Sequence, residues 1–303
     1  MNKQAKKSYF PYLLILPSFL LLGIFEFYPL LSAFYHSLFD WNVVTSKFVG
    51  LNNYITFITK PIFWISIKNI LIFMAFSIPV TLLMTLLGAE LIFNLKSEKV
   101  QSFWKYSFIL PMVVPFSVGI LIWGFIYTPY IGLLWQFLNL IGLGNLNFPV
   151  LGDPRTALIF LALIGFPYLQ SLAFLVFLSS LLGLDKSVLE SAEIDGASKI
   201  RRIFSIDLPM IKDKIFLIVL LDVIGAPQTI GSMLLLTGGG PGNSTMTPAL
   251  YIYNSAFNEN RMGYASAGGV ILMFIVLGLF FLTQSIENHF SGEKRQKNEK
   301  DYQ

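Results

Sequence analysis

The chain has 303 residues, 55% of them hydrophobic and only 13% charged, with a mean hydropathy of +0.67; a soluble domain carries about a quarter charged residues, so the composition belongs to the membrane class. With no cysteine and only His36 and His289 as histidines, disulfides, cysteine-based metal sites and cysteine nucleophiles are excluded, and a histidine metal site has little to build on. The net charge of +4 sits in short segments beside long apolar runs, which argues for membrane-protein loops and against nucleic acid.

In chain order, Lys3, Lys6 and Lys7 precede an apolar run from Pro11 to about Leu38. The run is longer than the core of a signal peptide and no small-residue cleavage site ends it, so it reads as a retained first membrane helix. A spanning helix needs about 20 mostly apolar residues, and six segments qualify: 12–36, 63–93, 104–128, 156–182, 214–236 and 264–288. The second is long enough to tilt or to begin outside the bilayer. Pro79, Pro111, Pro115, Pro167 and Pro227 lie inside spans, where neighbouring helices satisfy the freed carbonyls. These segments make one transmembrane domain over residues 12–290, with residues 1–11 before it and a charged, polar tail over 291–303 that is expected to be disordered.

Lys and Arg set the orientation. With the N-terminus inside, 16 of the 21 fall on the cytoplasmic side and 5 outside. Both termini are therefore expected in the cytoplasm. Residues 94–103 and 183–211 become inner loops, and 39–62, 129–155 and 237–263 face outward.

The loop at 183–211 has its own pattern. Asp185 can cap a short helix from Lys186, on which Val188, Leu189 and Ala192 make a small apolar face. Asp195-Gly196 supplies a turn, a second helix carries Ile200, Ile203 and Phe204, and Pro209 suits the first turn of the next helix. The result is a helix–turn–helix plate at the membrane's inner surface. On physical grounds it is equally an interfacial plate packed on lipid or a docking surface for another protein.

The segment Glu190-Ser191-Ala192, then Gly196, then Ile206-Asp207-Leu208-Pro209 resembles the EAA loop of bacterial ABC-importer permeases in every spacing. Ser191 stands where the family usually has Ala, and Asp185 where it often has Pro. The resemblance extends along nearly the whole chain. It includes Pro11-Tyr12-Leu13 through Tyr28-Pro29-Leu30-Leu31, Phe39-Asp40-Trp41, Phe48 to Tyr54, Leu236 to Pro241, Tyr251-Ile252-Tyr253, Ala256-Phe257 and Gly263-Tyr264-Ala265. These outer segments look like the carbohydrate-uptake branch, the subunits related to maltose and glycerol-phosphate permeases. The resemblance implies an all-α, six-helix permease bundle of the type I ABC importer kind, multi-pass in a bacterial inner membrane, forming half of a sugar pathway. It implies that Glu190, Ser191, Ala192, Asp195, Gly196, Ala197, Ile206, Leu208 and Pro209 form the docking loop for an ATPase. The implied partners are a second permease subunit, a cytoplasmic ATPase dimer, an extracytoplasmic sugar-binding protein and membrane lipid.

The chain carries no Gly-rich loop followed by Lys and Ser/Thr, so ATP would be bound by the partner; the run Gly238-Gly239-Gly240-Pro241-Gly242 lacks the lysine and reads as an outer turn. No catalytic constellation, cofactor site or metal set appears. Charges within a membrane are costly and usually functional. Of Glu26, Glu90 and Asp222, Glu90 suits a structural role near a helix end. Asp222, Gly225, Thr229 and Ser232 fall on one helical face, fitted either to line a pathway or to pack tightly. Tyr168 and Ser171, with Gln170 beside them, suit a sugar's apolar faces and polar edges, although core packing accounts for each singly. Competing classes are an importer for a polyol or glycerol-3-phosphate, a proton-coupled carrier using Asp222 or Glu26, and a membrane scaffold without transport.

Overall fold

A computed structural model describes residues 10–143, 148–167 and 170–301. Helices dominate, and the one sheet among the described residues is a two-stranded hairpin, Phe39–Trp41 with Ser46–Phe48, paired antiparallel. Among the described residues, four helical segments are long and apolar enough to cross a membrane: Tyr12–His36, Pro61–Phe93, Lys212–Thr237, which is interrupted part-way, and Met262–His289. Two bent pairs raise the number to as many as six. The chain divides into two compact units, Met1–Pro61 with Ile252–Phe274, and Ile62–Tyr251 with Ile275–Gln303.

In the first unit, the opening helix passes through a π-helical turn at Gly23–Phe27, and Glu26 is exposed on it. Beyond His36 the chain turns into the hairpin. Asn53, 6% exposed, donates to the carbonyls of Ser37 at 2.9 Å and Phe39 at 2.8 Å, which fixes that corner. Phe57, 1% exposed, packs its ring 5.1 Å from that of Tyr264.

The second unit has its core where three helices meet. Ala89 and Ile92 from Pro61–Phe93, Phe174, Phe177 and Leu181 from Ser171–Leu182, and Ile211 and Ile218 at the start of the next span form one buried cluster. Pro61–Phe93 runs unbroken through Pro79. At 1.5 Å per residue its 33 residues extend about 50 Å, well beyond an apolar layer of about 30 Å.

Three of the expected spans are not continuous helices. The span expected at 104–128 is two pieces, Glu98–Val113 and Phe116–Ile126, bent by 98°; Pro115 cannot donate the helical hydrogen bond and forces Val114 into extended backbone. Among its described residues, the span expected at 156–182 is helical at Ala157–Ala162 and Ser171–Leu182 only. Between them the chain leaves the helix at Leu163, and Gly165 takes φ +95, a conformation that a side chain would strain. The span expected at 214–236 is α-helical over Lys212–Gly225, tightens to a 3-10 turn at Ala226–Gln228 around Pro227, and resumes only after Ile230. The tail also departs from its composition. The final helix, Met262–Asp301, runs through the charged segment expected to be disordered. A helix already nucleated by an apolar span propagates at little cost through Glu, Lys, Arg and Gln, all good helix formers.

Candidate functional site

Two sites lie within the second unit: the plate around Glu190–Pro209, and a cavity beside Asp222.

The plate is assembled by local rules. Asp185 accepts the Ser187 N–H at 2.9 Å and its hydroxyl at 2.9 Å, capping helix Lys186–Ile194. Those bonds favour the ionised form and hold its carboxyl below the usual range. The helix closes in a Schellman motif. Ala197 N–H reaches the Ala192 carbonyl at 3.0 Å, Gly196 N–H reaches that of Glu193 at 3.1 Å, and Gly196 adopts φ +72. Ser198, which the sequence reading passed over, caps the next helix, Lys199–Arg202, accepting from Arg201 N at 3.3 Å. Of the motif residues, Glu190, Ser191, Asp195 and Gly196 are exposed, Ala197, Ile206, Leu208 and Pro209 half-buried, and Ala192 buried. The Ser191 hydroxyl donates to the Ser187 carbonyl at 2.7 Å, so it is satisfied on its own helix. Ile194, Ile200 and Phe204 are 86%, 70% and 69% exposed. Three large apolar side chains standing exposed on a polar plate are in want of a cover; Ile194 was missed in the sequence because it falls outside the apolar face of its own helix.

The plate is also anchored at a distance. A π-helical turn, Ile203–Asp207, inserts one extra residue and brings positions five apart together. Arg202 Nε thereby donates to Asp207 Oδ2 at 3.0 Å, with Asp207 fully buried and Arg202 11% exposed. Arg202 Nη2 also donates to Asn94 Oδ1, and its guanidinium lies 5.5 Å from the centre of the Phe93 ring. Asn94 Nδ2 donates in turn to Glu90 Oε2 at 3.3 Å. Glu90 is 4% exposed and belongs to this cluster, which joins the plate to the end of helix Pro61–Phe93. Spacing alone hid the cluster, because on a regular α-helix residues five apart do not meet.

The cavity, about 510 Å³, opens where two spans are broken. Its walls come from Phe73, Ser77 and Thr81 on helix Pro61–Phe93, from the non-helical stretch at Gly165 and Phe166, and from the interrupted helix at Asp222–Thr229. Within a membrane, irregular backbone is stable where it is covered by protein or lines a cavity. Gln170 Nε2 donates to Asp222 Oδ1 at 3.4 Å, while Gln170 Oε1 is buried without a partner. Of the expected pathway residues, Gln170, Asp222 and Thr229 meet at this cavity. Ser171 does not line it; its hydroxyl donates to the Phe108 carbonyl at 3.1 Å and ties two helices together. Ser232 is also absent from the wall, because the break at Ala226–Ile230 destroys the helical register that was to align it with Asp222. It is buried, with its hydroxyl 3.2 Å from the Met233 sulfur. Tyr168 lies outside the described residues. Ser77 and Thr81 were missed; their four-residue spacing inside an apolar helix was the available clue.

The family model for the binding-protein-dependent transport system inner membrane component matches residues 54–292. "Probable ABC transporter permease protein YurN" of Bacillus subtilis (strain 168) is 33% identical over 273 residues, covering 89% of this chain and 92% of the relative. The sn-glycerol-3-phosphate transport system permease protein UgpA of Agrobacterium fabrum is 32% identical, covering 89% of this chain and 91% of the relative. Among solved structures, a bacterial ABC transporter involved in the import of the acidic polysaccharide alginate superposes with a TM-score of 0.80 at 19% identity, covering 93% of this chain and 96% of the other.

Proposed function

The chain belongs to the family of binding-protein-dependent transport system inner membrane components, and on that footing we propose that it is one permease subunit of an ATP-driven sugar importer. It spans the membrane several times, with both termini and the plate on the cytoplasmic side; the Lys and Arg distribution supports this orientation. The observation that carries the reading is the capped plate with Ile194, Ile200 and Phe204 exposed on it. A cytoplasmic ATPase dimer covers that surface. ATP binding closes the dimer, moves the plate and rocks the bundle between inward-open and outward-open states. A second permease subunit completes the pathway, and an extracytoplasmic binding protein delivers the solute. The chain holds no ATP itself. The cavity at Asp222 serves as its share of the route, with the polyol and glycerol-3-phosphate classes as neighbours of the sugar reading.

Co-purification tests it. The chain, co-expressed with a second permease subunit and an ATP-binding-cassette ATPase from the same host, is expected to capture the ATPase, and vesicles holding the complex take up solute only with ATP. Gly196→Glu, which puts a charged side chain at a left-handed turn, is expected to lose capture or to hydrolyse ATP without uptake. Capture and uptake at the wild-type level in that variant would sink the docking assignment.

A further inference from the structure

Among the described residues, five polar side chains line the cavity: Ser77, Thr81, Gln170, Asp222 and Thr229. None of its described lining residues is Lys, Arg or His, and Asp222 is the one ionisable group among them. An anion taken from water into such a place requires a cation or several converging N–H donors. The carboxyl of Asp222 offers neither in either protonation state. Ionised, it repels a phosphate or sulfonate at close range; protonated, it has a single O–H. Its neighbour Gln170 already spends an N–H on it and leaves a carbonyl oxygen unpaired. The polar side of the cavity is thus rich in acceptors, supplemented by three hydroxyls that both donate and accept. Phe73 and Phe166 add flat apolar surface. Acceptors, hydroxyls and an aromatic face together fit a solute with many O–H groups and exposed C–H faces.

We infer that this cavity takes an uncharged or amine-bearing polyhydroxy solute and rejects anionic ones, with Asp222 as the discriminating residue. The inference rests on the reading of the cavity as part of the transport route. It separates this chain from its relative named for sn-glycerol-3-phosphate and from the structural neighbour involved in importing an acidic polysaccharide, because both of those solutes are anions.

Uptake in cells that lack the gene, restored with the wild-type chain, tests it. The probes are radiolabelled uncharged di- and trisaccharides, hexitols, glucosamine and glycerol-3-phosphate. The wild-type chain is expected to restore uptake of at least one uncharged or amine-bearing probe, undiminished by a hundredfold excess of unlabelled glycerol-3-phosphate. Asp222→Asn, at an equal level in the membrane, is expected to raise the KM for that probe about tenfold, the size of one charge-assisted hydrogen bond, without changing the maximal rate. A residue that only supported the fold would lower the maximal rate and the membrane level instead. Ser77→Ala, which leaves the carboxyl in place, is expected to raise KM by a smaller factor; it serves if Asp222→Asn fails to reach the membrane. Restored uptake of glycerol-3-phosphate, or KM values untouched in both variants, overturns the inference and leaves the importer standing. Restoration of no probe at all overturns the importer reading itself.

Discussion

The plate between Lys186 and Met210 and the cavity beside Asp222 belong to the same unit, but they are made differently. Each bend of the plate is set by residues within a few positions of it: Asp185 and Ser198 start its helices, and Gly196 closes the first. The cavity has no such local origin. Its walls are contributed by residues within 73–84, by 162–166 and 170, and by residues within 221–229, and its polar pair joins Gln170 to Asp222 across 52 positions. A surface that must be recognised by another chain can be written as a contiguous motif. A cavity exists only once separate helices have packed and two of them have broken. The polar exception to the plate's local construction is the buried contact of Arg202 with Asp207 and Asn94.

That exception gives the largest expected effect. Arg202→Met leaves the carboxylate of Asp207 buried without its cation, which costs about 3–5 kcal/mol. Thermal unfolding of the purified chain in detergent should drop sharply; an unchanged midpoint would show that the plate is local throughout. Gly165→Ala comes next. At φ +95 a side chain costs about 1–3 kcal/mol of backbone strain, and the strain falls on the cavity wall. Solute uptake should fall while ATPase capture stays intact, the reverse of the pattern expected for Gly196→Glu. Loss of capture in Gly165→Ala would dissolve the distinction between the two regions.

Gly196→Ala is a milder test of the plate. An added Cβ at Gly196 meets no heavy atom within 4 Å, so the penalty is conformational alone, about 1–2 kcal/mol. Gly196→Asn, which tolerates the left-handed region, should recover part of the ATPase capture lost in the alanine variant. The smallest effect belongs to Asp185. Its folded pKa is depressed by the Ser187 bonds, so its capping contribution is complete above the ordinary carboxylate range and is lost as pH falls through the lowered folded value. Amide exchange at Ser187 should quicken over that acid window in the wild type. In Asp185→Asn, which caps without titrating, exchange at this site should show no such step.

Much of the plate was legible because caps, turn glycines and proline positions act on the residues beside them. Ile194 and Arg202 were not: one faces away from its helix's apolar stripe, and the other meets Asp207 only through a π-helical turn. Asp222 stood out because a carboxylate in an apolar run is conspicuous, and Thr229 and Gln170 joined it at the cavity. Ser171 and Ser232 lie away from the cavity for a shared reason. Their placement assumed unbroken helices, and the chain breaks beside both, near Gly165 and at Pro227.

The apolar segments, the family and the local geometry of the plate follow from the amino-acid sequence by itself, since hydrophobic length, charge asymmetry and capping are short-range properties that need no partner segment. Tertiary structure alone decided where the spans bend, which polar groups share a cavity, and that Arg202 binds the plate to the end of helix Pro61–Phe93. A proline or glycine inside a span permits a break. Whether the break occurs, and what it exposes, depends on the neighbouring helices that replace the lost hydrogen bonds.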